Sequence, residues 1–128
     1  MKVYVADDQR QVRSALRLIL EHHNVEVIGE ANHYQQLFQS LDQCCPDVLL
    51  FDWELPGNPY HGDPPLNPLP ILARLCPAMQ IVVMSSLPES RLETASLACG
   101  FISKADPADV FLDAVTTLVE HTAIEPRI

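Results

Sequence analysis

The sequence has no apolar run close to the roughly 18 residues that a membrane-spanning helix requires, and its first residues enter a strand-like pattern without signal-peptide features. A cytoplasmic protein with no membrane contact is the expectation. Basic residues are few: eight Lys and Arg against seventeen Asp and Glu give a net charge of −9, which disfavours direct binding of nucleic acid or an anionic membrane. Glycine is scarce too, at four residues, and no glycine-rich phosphate loop follows the first strand, so a flavodoxin-like cofactor enzyme is a weak reading. Cys44, Cys45, Cys76 and Cys99 form no CxxC pair and no zinc-type spacing. They are expected to be free thiols in a reducing compartment, with Cys44 and Cys45 packing at a helix end. His22, His23, His33, His61 and His121 lack ligand spacing and read as solvated.

What is present is a strand and helix alternation within one domain of 128 residues. Val3 to Ala6, Val25 to Gly29, Val48 to Asp52, Ile81 to Met84 and Gly100 to Ser103 are short apolar or β-branched runs, read as strands. Helical spacing follows each. Val12, Leu16, Ile19 and Leu20 share one face; Leu37, Phe38 and Leu41 share another, with Asn32 as a candidate cap. Ile71, Leu72 and Leu75 allow a short third helix ending at Pro77, a fourth starts near Pro88, and Asp106-Pro107 opens a fifth whose buried stripe is Val110, Phe111, Ala114, Val115 and Leu118. The pattern predicts an α/β fold, a doubly wound five-stranded parallel sheet with helices on both faces.

The third run is apolar throughout, bounded by Pro46 and Pro56, and ends in Asp52. That is a central strand delivering one acid to the carboxyl edge, where open α/β sheets bind ligands. Asp7 and Asp8 stand past the first strand, Ser85 past the fourth and Lys104 past the fifth. Each has an ordinary alternative: a solvated turn, a helix cap, a surface lysine. Together, three carboxylates on one edge resist ionising unless a cation sits among them. Mg2+, held by few carboxylates and completed by phosphate oxygens, suits phosphoryl chemistry. Asp52 is then the candidate nucleophile, Lys104 the countercharge and Ser85 the hydroxyl donor.

Val3–Asp8, Val48–Pro56, Val82–Ser86 and Gly100–Lys104 together resemble the CheY-like receiver domain of two-component response regulators over nearly the whole chain. Arg13-Ser14-Ala15-Leu16 and Gly100-Phe101-Ile102-Ser103-Lys104 are similar to its NarL/FixJ-type branch, whose members usually carry a helix-turn-helix output domain. The resemblance implies a flavodoxin-like strand order of 2-1-3-4-5, with residues 1–122 as the receiver and 123–128 as a tail or the start of a linker. It implies that Asp52 is the phosphoacceptor for a histidine kinase. Mg2+ would be held by Asp8 and Asp52, by Asp7 mainly through water, and by the backbone carbonyl of Glu54. Ser85 and Phe101 would switch with phosphorylation, and Lys104 would pair with the phosphoryl oxygens. Such a domain is a signalling phosphoacceptor rather than an enzyme; the resemblance is compatible with transcription regulation through a C-terminal DNA-binding domain outside this chain, or with a stand-alone regulator. A homodimer through the fourth helix, fifth strand and fifth helix is compatible with the family.

Four departures stand out. The segment from Gly57 to Pro70 is unusually long and proline-rich. Glu54 brings a carboxylate beside the acceptor, and an altered phosphoryl lifetime is expected from it. The chain between Ser85 and Lys104 is short, which places the trim in the fourth helix or its loop. Lys104 precedes Ala105, so a cis Lys-Pro bond is impossible. The alternative reading is a pseudo-receiver, an interaction module that works without phosphorylation.

Overall fold

Every apolar run that the sequence marks as a strand pairs into one sheet in the computed structural model, which describes residues 1–57, 67–87 and 98–124. The strands are β1 (Lys2–Ala6), β2 (Glu26–Ala31), β3 (Val48–Asp52), β4 (Gln80–Ser85) and β5 (Ala98–Ser103). All neighbours are parallel and the order is β2-β1-β3-β4-β5, as the resemblance implies. The described helices are α1 (Arg10–His22), α2 (Tyr34–Gln43), α3 (Leu69–Leu75) and α4 (Ala108–Ile124). The helix expected near Pro88 and the middle of the proline-rich loop, His61 included, lie outside the described residues, so α4 is the last helix of the sequence pattern. Among the described residues no helix is long and apolar enough to cross a membrane.

The sheet separates two apolar cores. β3 is buried along its whole length, and its side chains alternate between faces. Leu49 and Phe51 join Tyr34, Leu37, Leu41, Leu69 and Leu72 of α2 and α3. Val48 and Leu50 join Leu16, Leu20, Phe111, Val115 and Val119 of α1 and α4. The stripe of α4 is thus Phe111, Val115 and Val119, with Ala114 and Leu118 packed partly buried beside it as expected; Val110 is 47% exposed, one residue out of phase with that face.

Helix ends depart from the sequence pattern at α2 and α3, and α1 ends in a cap of its own, each for a local reason. His33 caps α2, its Nδ1 accepting from the Gln36 amide at 3.2 Å, while the Asn32 amide donates to Gln36 Oε1 at 3.1 Å; the two side chains form a reciprocal cap one residue later than expected. Pro70 belongs to the first turn of α3, where its missing N–H is no loss. α1 closes with Asn24 at φ 61°, the Val25 amide donating to the Leu20 carbonyl at 2.9 Å and the Asn24 amide to that of Glu21 at 3.0 Å, a left-handed cap that an Asn tolerates well.

The free-thiol expectation is overturned for two of the four cysteines. Cys45 and Cys76 form a disulfide with Cα atoms 5.7 Å apart, joining the ends of α2 and α3; Cys44 is free and exposed. No local spacing announces the pair, because only the fold brings two positions 31 residues apart together.

Gly29 is a packing requirement. A Cβ there would lie 2.6 Å from Tyr4 Cε2, and that ring is held by its hydroxyl, which donates to Ser40 Oγ at 2.9 Å. Gly29→Ala should cost about 1–3 kcal/mol, the usual penalty of overpacking. Urea unfolding measures it, and a loss near zero would mean that the ring gives way.

Candidate functional site

Strand register, not chance proximity, assembles the site. Ala6 pairs with Phe51, Asp52 with Met84 and Ser85 with Ser103, so Asp7, Asp52, Ser85 and Lys104 emerge at the same edge. The amide of Trp53 donates to the Met84 carbonyl at 2.8 Å and that of Lys104 to the Ser85 carbonyl at 2.8 Å, which fixes the loops to one another. Asp7, Asp52 and Ser85 are fully buried, although polar. Asp52 lines a cleft of about 440 Å3 together with Asp8, Glu54, Ser86 and Lys104.

Oxygen atoms of Asp7, Asp8 and Asp52 lie within 4.8 Å of one another. Asp7 is well partnered: Oδ1 accepts from the Gln9 amide at 2.8 Å and Oδ2 from Lys104 Nζ at 2.8 Å. Arg13, which the sequence offers no reason to place here, donates from Nη1 to the Asp7 carbonyl at 2.9 Å. Asp52 is partnered on one side only. Its Oδ1 accepts from the Glu54 amide at 3.0 Å, whereas Oδ2 is buried without a hydrogen bond and stands 3.6 Å from Lys104 Nζ.

Charges follow from that geometry. Burial first, and the Asp7 charge second, push the Asp52 carboxyl up to about 7, against the pull of Lys104 and the Glu54 amide. Burial alone would lower Lys104; its hydrogen bond to Asp7 and the charges of Asp52, Asp7 and Asp8 outweigh that and raise it. Burial would raise Glu54, but hydrogen bonds from Ser86 and Ser85 bring it below its ordinary value. An all-oxygen donor set with one orphaned buried carboxylate oxygen fits a hard divalent cation such as Mg2+, which prefers oxygen ligands and few carboxylates.

Lys104, Asp7, Asp8 and Asp52 therefore meet as the sequence predicted. Ser85 is at the same edge, but its hydroxyl is engaged by Glu54, Oγ to Oε1 at 2.9 Å. Ser86, which no motif in the sequence singles out, donates to the same oxygen from its amide at 3.0 Å and its hydroxyl at 2.7 Å. Phe101 pairs in register with Val83 and packs, half-buried, against the α2 and α3 core.

A parallel sheet in this strand order, with its acids, serine and lysine gathered where the strands end, has the form of a CheY-like receiver. The model of the response regulator receiver domain matches residues 3–116, and the chain belongs to that family. Its relatives are NarL-type response regulators, in keeping with the branch its sequence resembles. The transcriptional regulatory protein LnrK of Bacillus subtilis is 26% identical over 123 residues, covering 92% of this chain and 53% of that protein. The oxygen regulatory protein NreC of Staphylococcus aureus is 29% identical over 122 residues, covering 92% and 54%. The chain spans about half the length of the curated relatives it matches. Among solved structures, RcsB from Salmonella enterica serovar Typhimurium, bound to promoter rprA in the presence of phosphomimetic BeF3−, is similar with a TM-score of 0.74 and 27% identity, covering 93% of this chain and 98% of that one. A receiver domain from Methanospirillum hungatei shares the fold, with a TM-score of 0.72 at 18% identity over 98% of both chains.

Proposed function

We propose that the chain is the phosphoacceptor of a two-component system, with Asp52 taking a phosphoryl group from a histidine kinase. One observation carries the reading: Asp52 Oδ2 is a buried carboxylate oxygen with no hydrogen bond, opposite a lysine. Its lone pair would form the new P–O bond as the P–N bond of the donor phosphohistidine breaks, the electron pair leaving with the imidazole nitrogen. Asp7, Asp8, Asp52 and the Glu54 carbonyl would hold Mg2+, which supplies positive charge against the phosphoryl oxygens when bound. Lys104, held at Asp7 and 3.6 Å from Asp52 Oδ2, would pair with the same oxygens. Ser85 would offer its hydroxyl to the phosphoryl group and Phe101 would repack beside it, shifting the population of two conformations. The chemistry is limited to this self-phosphorylation and its hydrolysis.

The setting is cytoplasmic, and the readout is transcriptional, through a DNA-binding domain beyond this chain. RcsB bound to a promoter with BeF3− present supports that reading, as does the structure of two RcsB dimers on two DNAs for a homodimer; this acidic domain itself makes no DNA contact. The pseudo-receiver alternative draws on one observation, the engagement of Ser85 by Glu54. Beryllofluoride with Mg2+ separates them. Trp53 follows Asp52 directly and its ring meets that of Phe51 at 6.5 Å, so a Mg2+-dependent change in its fluorescence is expected on titration. A flat response with both beryllofluoride and acetyl phosphate would favour the interaction module.

A further inference from the structure

Three donors converge on a single oxygen at the end of β4. Ser85 Oγ, the Ser86 amide and Ser86 Oγ lie 2.9, 3.0 and 2.7 Å from Glu54 Oε1. Such a convergence of hydroxyls and a backbone N–H is an anion site, and charge-assisted hydrogen bonds of this length are the strong kind. Here it holds the chain's own carboxylate. Leu87 reinforces the arrangement, its amide donating to Ser85 Oγ at 3.0 Å, which orients the serine so that its one proton goes to Glu54.

A hydroxyl has one proton to donate. While Ser85 gives it to Glu54, it cannot give it to a group on Asp52, and the Glu54 amide already binds Asp52 Oδ1 at 3.0 Å. One residue thus orients the acceptor through its backbone and occupies the switch donors through its side chain. We propose that Glu54 is an internal anion plug: in the unmodified domain its carboxylate fills the Ser85 and Ser86 donor site, and a phosphoryl group on Asp52 must displace it to gain those donors. This rests on the phosphoacceptor reading of Asp52. Two consequences follow. Displacement opposes modification, so the plug weakens the response to phosphodonors. It also places a freed carboxylate next to a new dianion, so the released Glu54 is driven outward into solvent, where it is already exposed.

The plug is an arrangement of polar groups at the rim of the cleft rather than of the core, so Glu54→Ala and Glu54→Gln are expected to fold. Two measurements test it. The Ser86 amide resonance in 15N-correlated spectra reports the plug with no phosphodonor present: it should move strongly in Glu54→Ala and less in Glu54→Gln, which keeps an acceptor oxygen but not the charge. Titration with beryllofluoride and Mg2+, read by Trp53 fluorescence, reports the competition: Glu54→Ala should tighten the apparent affinity about tenfold, which corresponds to about 1.4 kcal/mol, with Glu54→Gln between it and the wild type. In a Ser85→Ala background the Glu54→Ala gain should shrink. A response confined to Glu54→Ala, with the wild type silent, also supports the plug. An unmoved Ser86 amide overturns the plug and leaves Asp52 as acceptor. Equal affinities in wild type and Glu54→Ala do the same. No response in any variant overturns both the acceptor reading and the plug.

Discussion

Asp52→Asn is expected to abolish the Mg2+-dependent response to beryllofluoride and acetyl phosphate while making the metal-free protein more stable above pH 7. The first effect is chemical, because an amide oxygen is no nucleophile for phosphorus at this site. The second is electrostatic. An unfolded Asp titrates near 3.9, whereas burial and Asp7 hold folded Asp52 at about 7. Below pH 4 both states carry the proton and the site makes no difference. Between about 4 and 7 the unfolded chain loses the proton first. It then binds fewer protons than the folded chain, so stability falls as pH rises, and the loss is complete above about 7. Asparagine removes that loss. The gain should be on the order of 3 kcal/mol at pH 8, absent at pH 4, and smaller with saturating Mg2+, which stabilises only the carboxylate form. Urea unfolding at the two pH values measures it, and equal gains at both would place the effect elsewhere.

Reduction of the Cys45–Cys76 disulfide should produce the second large change. The bridge closes a loop of 31 residues, and chain-entropy arguments assign a closure of that length about 3–4 kcal/mol. For a domain of this size the melting temperature should fall by roughly 10 °C or more. The double variant Cys45→Ala/Cys76→Ala should melt like the reduced wild type and be indifferent to dithiothreitol. Native packing should survive the reduction, since Cys76 is buried and its sulfur lies 3.8 Å from the Leu41 carbonyl, an acceptor for the thiol once the bridge opens. Identical melting curves with and without reductant would show that the pair is open in solution.

The parts of the molecule legible in the sequence are those carried by local pattern. An unbroken apolar run this short, bounded by prolines and ending at Asp52, reads as a strand covered on both faces, and the acids, serine and lysine that follow the other runs acquire a common edge once the sheet is parallel. The parts that were not legible depend on partners distant in the chain or on angular phase. Val110 and Val119 are equally apolar, but α4 begins at Ala108, and one residue of offset turns Val110 outward by about 100°. The disulfide needs α2 and α3 on the same face of the sheet. Glu54 stands out in the sequence as an unusual neighbour of Asp52, yet nothing within the sequence shows that its carboxylate reaches across 31 and 32 positions to Ser85 and Ser86. His33, read as a solvated histidine, caps a helix because the imidazole nitrogen accepts as well as any carbonyl.

Cys45 precedes β3 and Cys76 precedes β4, so the disulfide clamps the amino edge of the sheet, while Asp52 and Ser85 stand at the far ends of the same two strands. Five residues of β3 at about 3.3 Å each separate the two edges by about 17 Å. Mechanically, the central strands behave as a cantilever, rooted at the bridge and loaded at the tip. If Asp52 takes a phosphoryl group as proposed, the new charge at the tip is expected to move the loops there more than the clamped root.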